Sequence, residues 1–167
     1  MTIAARKYIS PLGTITLAAD GDALCGLWFD GQKYYGGAVA SALCYEDSAA
    51  FTPVRRWLDD YFAGKRPSVT QLKLRPAGIS PFRAEVWRCL LEIPYGETVT
   101  YGEIARKIAL RRGIASMSAQ AVGGAVGHNP LSIIVPCHRV VGASGELTGY
   151  AGGFARKTWL LDFEKRT

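Results

Sequence analysis

Cys137 and His138 stand side by side behind Pro136, and this pair is where the sequence offers reaction chemistry. A thiol of ordinary pKa, about 8.5, is only a few per cent thiolate at neutral pH, so a neighbouring base would raise its nucleophilicity. Pro136 pushes Val135 into extended backbone and fixes the approach to Cys137. Side chains of adjacent residues in an extended chain point to opposite faces, so His138 is expected to reach the sulfur through a bridging water. A third group should orient the imidazole. Glu164, on the amphipathic segment 155–164, is the candidate. The bland alternative is a buried Cys on a core strand beside a structural His, and spacing alone leaves the two readings even.

The other cysteines do not suggest chemistry. Cys25, Cys44, Cys89 and Cys137 are 19, 45 and 48 residues apart, with no C-x-x-C pair. With only two histidines, His128 and His138, no metal site is expected, and no cofactor is implied. No secretory signal and no run near the ~20 apolar residues of a membrane helix is read, so a reducing, cytoplasmic setting is expected. The chain has 167 residues, 49% hydrophobic and 20% charged, which fits one domain or two small ones and excludes a disordered chain. The net charge of +6 permits an anionic partner. Of that surplus, +4 falls on residues 80–167.

The elements that must position Cys137 divide near Gly78, giving expected domains 1–78 and 79–167. Apolar runs 4–9, 13–19 and 23–29, broken by Ser10-Pro11 and Asp20-Gly21-Asp22, predict strands. Thr52 and Pro53 predict the start of a helix that carries Val54, Trp57, Leu58, Tyr61 and Phe62 at helical spacing. A short strand at 72–74 and a buried strand at 133–135 are also expected. The second half reads as helical. Ser80-Pro81 opens one helix, and Thr100 with Glu103 forms a capping-box pattern for the next. A third, 118–127, is built almost wholly of small residues, each interior glycine costing roughly 1 kcal/mol. Such a helix needs a close backbone approach, to a neighbouring helix or to a nucleic-acid groove. Helix, short turn, helix is the outline of a helix-turn-helix.

Pro136-Cys137-His138-Arg139-Val140 resembles the active-site signature of the O6-alkylguanine-DNA alkyltransferases, the methylated-DNA–protein-cysteine methyltransferases. The likeness continues, in order, through Ile93-Pro94-Tyr95-Gly96-Glu97, Thr100-Tyr101, Ala121-Val122-Gly123-Gly124-Ala125, Gly127-His128-Asn129-Pro130 and Gly149-Tyr150-Ala151-Gly152-Gly153. It closes on Arg156-Lys157, Trp159-Leu160-Leu161 and Glu164, covering roughly residues 80–166. The first half is similar only as a small α/β domain of suitable size.

The resemblance implies an α/β N-terminal domain, a small β-sheet with a helix. A mainly α-helical domain with a winged-helix-like helix-turn-helix would follow it. It implies a single-turnover methyltransferase, consumed by one alkyl transfer from O6-alkylguanine in double-stranded DNA, with O4-alkylthymine a further substrate to consider. Cys137 would be the alkyl acceptor, His138 the base, Glu164 its orienting partner and Asn129 a brace. Tyr101 would press on the phosphate and help turn the base out of the stack, a rotation that costs a few kcal/mol. Val126, Val140, Tyr150 and Ala151 would line the pocket. Tyr101, Gln120, Ala121, Gly123 and Gly124 would meet DNA through the minor groove. A monomer is implied.

One departure stands out. Relatives usually carry Arg where this chain has Gln120, and Gln lacks the guanidinium plane and charge. Three other readings compete. One is an alkylated-DNA lesion binder without transfer, which the presence of Cys137 disfavours. The others are a cysteine hydrolase and a helix-turn-helix regulator, the last with few side chains on its recognition helix for base readout.

Overall fold

The computed structural model describes residues 2–167, which divide into two compact units. The first holds the chain up to Gly78 together with Pro130–Ile134 and Thr167. The second holds Ile79–Asn129 and Val135–Arg166. No described helix is long and apolar enough to cross a membrane.

The first unit is a four-stranded sheet with one helix. Strands β1 (Ile3–Ser10), β2 (Gly13–Asp20) and β3 (Ala23–Phe29) form an antiparallel meander, and β4 (Leu43–Tyr45) adds to β1 in parallel, giving the order β3-β2-β1-β4. β4 lies outside the strands that the sequence predicts. Every residue of β3 is buried. Its outer edge is covered rather than left open to pairing. Leu24 N–H donates to the Lys73 carbonyl, while Leu27 N–H donates to the Pro130 carbonyl at 2.8 Å and its own carbonyl accepts from Ser132 N–H. The expected strand at 72–74 is thus only a bridge between Leu74 and Leu24. Gly26 is obligatory in β3, since a Cβ there would fall 1.9 Å from the Trp28 ring.

Helix α1 (Phe51–Phe62) buries Phe51, Val54, Trp57, Leu58 and Tyr61. It starts one residue before Thr52 and draws no cap from that side chain. The helix has no side-chain cap, and Ser48 Oγ accepts from Ala50 N–H in the turn that precedes it.

In the second unit, α2 (Pro81–Leu91) is capped by Ser80, whose Oγ accepts from Arg83 N–H with Pro81 in the first turn. α3 (Tyr101–Arg112) carries the complete Thr100–Glu103 capping box and ends on Gly113 at φ 65°. α4 (Ala119–Gly127) is capped by Ser118. α2 and α3 are clipped together by Glu85–Arg112 and by Glu92 with Lys107 and Arg111, exposed pairs that solvent screens. Strands β5 (Val99–Thr100) and β6 (Val140–Val141) pair in parallel, and α5 (Phe154–Arg166) closes the unit.

The expected strand at 133–135 does not form. Ile133 has φ 68°, a left-handed value that a β-branched side chain rarely adopts. Ile134 N–H donates to the Ser132 carbonyl at 2.8 Å, closing a three-residue turn of the strained kind.

Candidate active site

Two tight turns in succession deliver Cys137. After the Ile133 turn, Cys137 N–H donates to the Val135 carbonyl at 2.8 Å around Pro136, whose φ of −81° and ψ of 62° make an inverse γ-turn. Residues Cys137–Arg139 then wind into one 3-10 turn before β6. The extended geometry expected for the Cys-His pair is therefore replaced by a coil, because the proline turn has already bent the chain.

Cys137 is 5% exposed. Burial pushes its thiol pKa up; the Asn129 side chain, the Lys157 ammonium and the backbone N–H groups of Cys137 and His138 pull in the other direction. The balance lies with burial, so the resting group is a thiol and needs a base. Asn129, at the end of α4, is itself fixed by donating Nδ2–H to the Val135 carbonyl at 2.9 Å.

His138 is fully buried. Its Nε2 lies 2.7 Å from Glu164 Oε2, and its Nδ1 makes no hydrogen bond. A carboxylate can only accept, so the proton sits on Nε2 and Nδ1 keeps a lone pair. Burial lowers the imidazole pKa; Glu164 opposes this, while Arg139 and Lys157 add to it. Burial also works against ionised Glu164, but hydrogen bonds and charge from His138 and Arg139 outweigh it and hold the carboxyl well below the usual range.

Two buried cations in this cluster carry no assigned role from sequence. Arg139 donates Nε–H to Glu164 Oε1 at 2.7 Å, Nη2–H to Oε2 at 3.1 Å and Nη1–H to the Ile93 carbonyl at 2.8 Å. Lys157, 1% exposed, donates to the carbonyls of Val140 and Thr148. Nothing in a linear sequence separates these from solvated surface charges. The signals are their places within the 136–140 and 156–157 stretches that carry the resemblance, beside Cys137 and on the face of α5 that carries Glu164.

The remaining candidates divide between interior and surface. Val126 and Val140 are buried, and Tyr150 and Ala151 are half-buried in the loop before α5. Tyr101 opens α3, and its Oη accepts from Thr148 Oγ1 at 3.3 Å. A Cβ at Gly123 would sit 3.7 Å from the Tyr101 ring, an ordinary van der Waals contact. A Cβ at Gly124 would meet nothing within 4 Å. Packing against Tyr101 would therefore tolerate a side chain at Gly123, and Gly124 faces open space. Gln120 and Ala121 are exposed in the first turn of α4.

Comparison with known proteins gives the same answer from both halves of the chain. The family model for the DNA binding domain of 6-O-methylguanine DNA methyltransferase matches residues 81–166, and that for its ribonuclease-like domain matches residues 3–76. The methylated-DNA–protein-cysteine methyltransferase of Mycobacterium tuberculosis is 46% identical over 161 residues, 96% of this chain and 91% of that protein. That of Methanosarcina acetivorans is 44% identical over 158 residues, 94% of this chain and 95% of its own. A crystal structure of the M. tuberculosis protein in complex with DNA superposes with a TM-score of 0.82 at 44% identity, covering 98% of this chain and 93% of that one. With both domain models matched in order around a buried Cys-His-Glu cluster, the chain belongs to the 6-O-methylguanine DNA methyltransferase family.

Proposed function

We propose that this protein repairs alkylated DNA by moving the alkyl group of O6-alkylguanine in a duplex onto its own Cys137. The observation that carries the reading is the His138 imidazole, buried, held through Nε2 by Glu164 and left with a lone pair on Nδ1 in the same turn as the thiol. In the resting site the thiol is protonated. His138 Nδ1 takes that proton through a bridging water, and the thiolate attacks the alkyl carbon. The new S–C bond forms as the C–O6 bond breaks, and the purine leaves with a proton supplied by a donor such as Tyr101 Oη. The product is a thioether that water does not displace, so each molecule acts once.

O6 of a stacked guanine offers no in-line path to a buried sulfur, so the base must leave the helix, at a cost of a few kcal/mol. α4 is the segment suited to the minor groove, with Gly124 open and Gln120 and Ala121 exposed at its first turn. Val126, Val140, Tyr150 and Ala151 line the pocket for the extruded base, and Asn129 braces the turn below it. O4-alkylthymine, with the same exocyclic ether, is a second substrate of the same chemistry. Domains 1–78 and 79–167, a monomeric state and a cytoplasmic location complete the reading.

Intact-mass measurement after incubation with O6-methylguanine duplex tests it. The expected result is a gain of about 14 Da, one CH₂, on Cys137. Cys137→Ser gains nothing and still binds DNA. An adduct on Cys25, Cys44 or Cys89, or on the serine variant, refutes the assignment.

A further inference from the structure

A base that is to accept the thiol proton must be neutral beforehand, yet a buried imidazole hydrogen-bonded to a buried carboxylate is drawn towards the imidazolium. Two unpaired partners would share one proton and the base would be spent before substrate arrives. The groups that face His138 are Glu164 and Lys157 from α5, and Cys137 and Arg139 from its own turn. Arg139 is the one that reaches the carboxylate directly. Its fork covers both oxygens of Glu164, at 2.7 and 3.1 Å, while its third nitrogen is tied to the Ile93 carbonyl. The Tyr95 ring lies 5.5 Å from the guanidinium carbon. Gly96 N–H adds a further donor to Oε1 at 3.2 Å. The guanidinium is therefore held in place from two sides, and the Glu164–Arg139 pair carries no net charge while His138 is neutral.

We propose that Arg139 is a positioning residue for alkyl transfer: it neutralises and aims Glu164, so that the resting imidazole of His138 stays neutral and takes its proton from the Cys137 thiol alone. This rests on the alkyl-transfer reading above. Burial and the nearby Lys157 ammonium push the imidazole the same way, but neither fixes where the carboxylate points.

The test is the pH profile of transfer from free O6-benzylguanine, followed as the benzyl thioether of the protein. In Arg139→Met the His138–Glu164 pair takes up its proton more readily, so the acid limb moves to higher pH by about one unit, a tenfold lower proton concentration. Arg139→Lys keeps the charge but not the fork, so its limb stays near that of wild type while the plateau rate falls. In the Glu164→Gln background, Arg139→Met moves the limb no further. A limb that stays put in Arg139→Met, or that shifts equally in both backgrounds, overturns the proposal. Should Arg139→Met not fold, the ¹⁵N shifts of His138 in the wild type decide. A neutral ring protonated at Nε2 at neutral pH is expected, and an imidazolium overturns the proposal. If the wild type forms no thioether, the alkyl-transfer reading fails, and the same ¹⁵N measurement still judges Arg139.

Discussion

Two polar networks, one in each unit, are built from similar groups. In the first, Lys7 Nζ donates to Thr16 Oγ1 and Asp30 Oδ2 at 2.8 and 2.7 Å, and Thr16 Oγ1 donates to Asp30 Oδ1 at 2.6 Å, with Tyr35 Oη 2.7 Å away. The Lys7 and Asp30 side chains are 39% and 37% exposed. In the second, Glu164 and His138 are 1% and 0% exposed, and Arg139 is 11%. Distances hardly differ; burial does. Water can reach the Lys7 and Asp30 ends of the sheet network, although Thr16 between them is buried, whereas every side chain of the second network must be satisfied internally. The first ties a loop to a sheet. The second holds the His138 imidazole in one tautomer.

The sharpest way to break that contrast is to remove one anion from each network. Glu164→Ala leaves Arg139 and His138 buried without their partner and is expected to cost about 3–5 kcal/mol in urea unfolding and to abolish transfer. Asp30→Asn is expected to stay within about 1 kcal/mol and leave transfer intact. Equal costs would mean that burial does not set the difference.

Acid separates the networks next. Burial lowers the His138 pKa, so the unfolded chain binds its proton first. Stability from this group is complete above the unfolded value of about 6.5 and is lost as pH falls from there through the folded value. Glu164, also depressed in the folded state, adds the same sign of change below the unfolded value of about 4.3. The urea midpoint of the wild type is expected to decline on going from about pH 7.5 to 5.5. His138→Gln should flatten that slope; an unchanged slope would assign the decline elsewhere.

The smallest effect concerns a residue outside both networks. Gln120 is exposed, so changing it should alter DNA encounters and not the buried chemistry. Gln120→Arg is expected to tighten binding to O6-methylguanine duplex by about fivefold, roughly 1 kcal/mol, and Gln120→Ala to weaken it. Rates with free O6-benzylguanine should barely move in either. A matching loss with the free base would make residue 120 part of the fold.

Legibility in the sequence followed the range of the interactions. Ser80 with Pro81 and Thr100 with Glu103 act within one helical turn, and the caps form where their spacing places them. Cys137, His138 and Glu164 were visible as a motif and an amphipathic tail, and the structure joins the last two by a hydrogen bond. Arg139 gave no hint of its place, because only the fold decides that its fork meets Glu164 and the Ile93 carbonyl. The turn at Ile133 was hidden for the opposite reason. Its side chain favours a strand, and the packing around residues 130–134 overrides that preference. β4 is three residues long and largely exposed, too short for any periodicity to announce it.

The Pro130–Ile134 segment has a consequence for how this chain can be cut. It belongs to the first unit, although the residues on either side of it, Asn129 and Val135, belong to the second. The polypeptide thus enters the first unit twice, and a scission after Gly78 would not liberate two self-sufficient bodies. The C-terminal piece would carry away Leu131, Ile133 and Ile134, each at most 2% exposed, and the N-terminal piece would lose the backbone that covers Leu27. Covalent order and spatial order are interleaved here, which makes the stretch leading to Cys137 a shared possession of both halves.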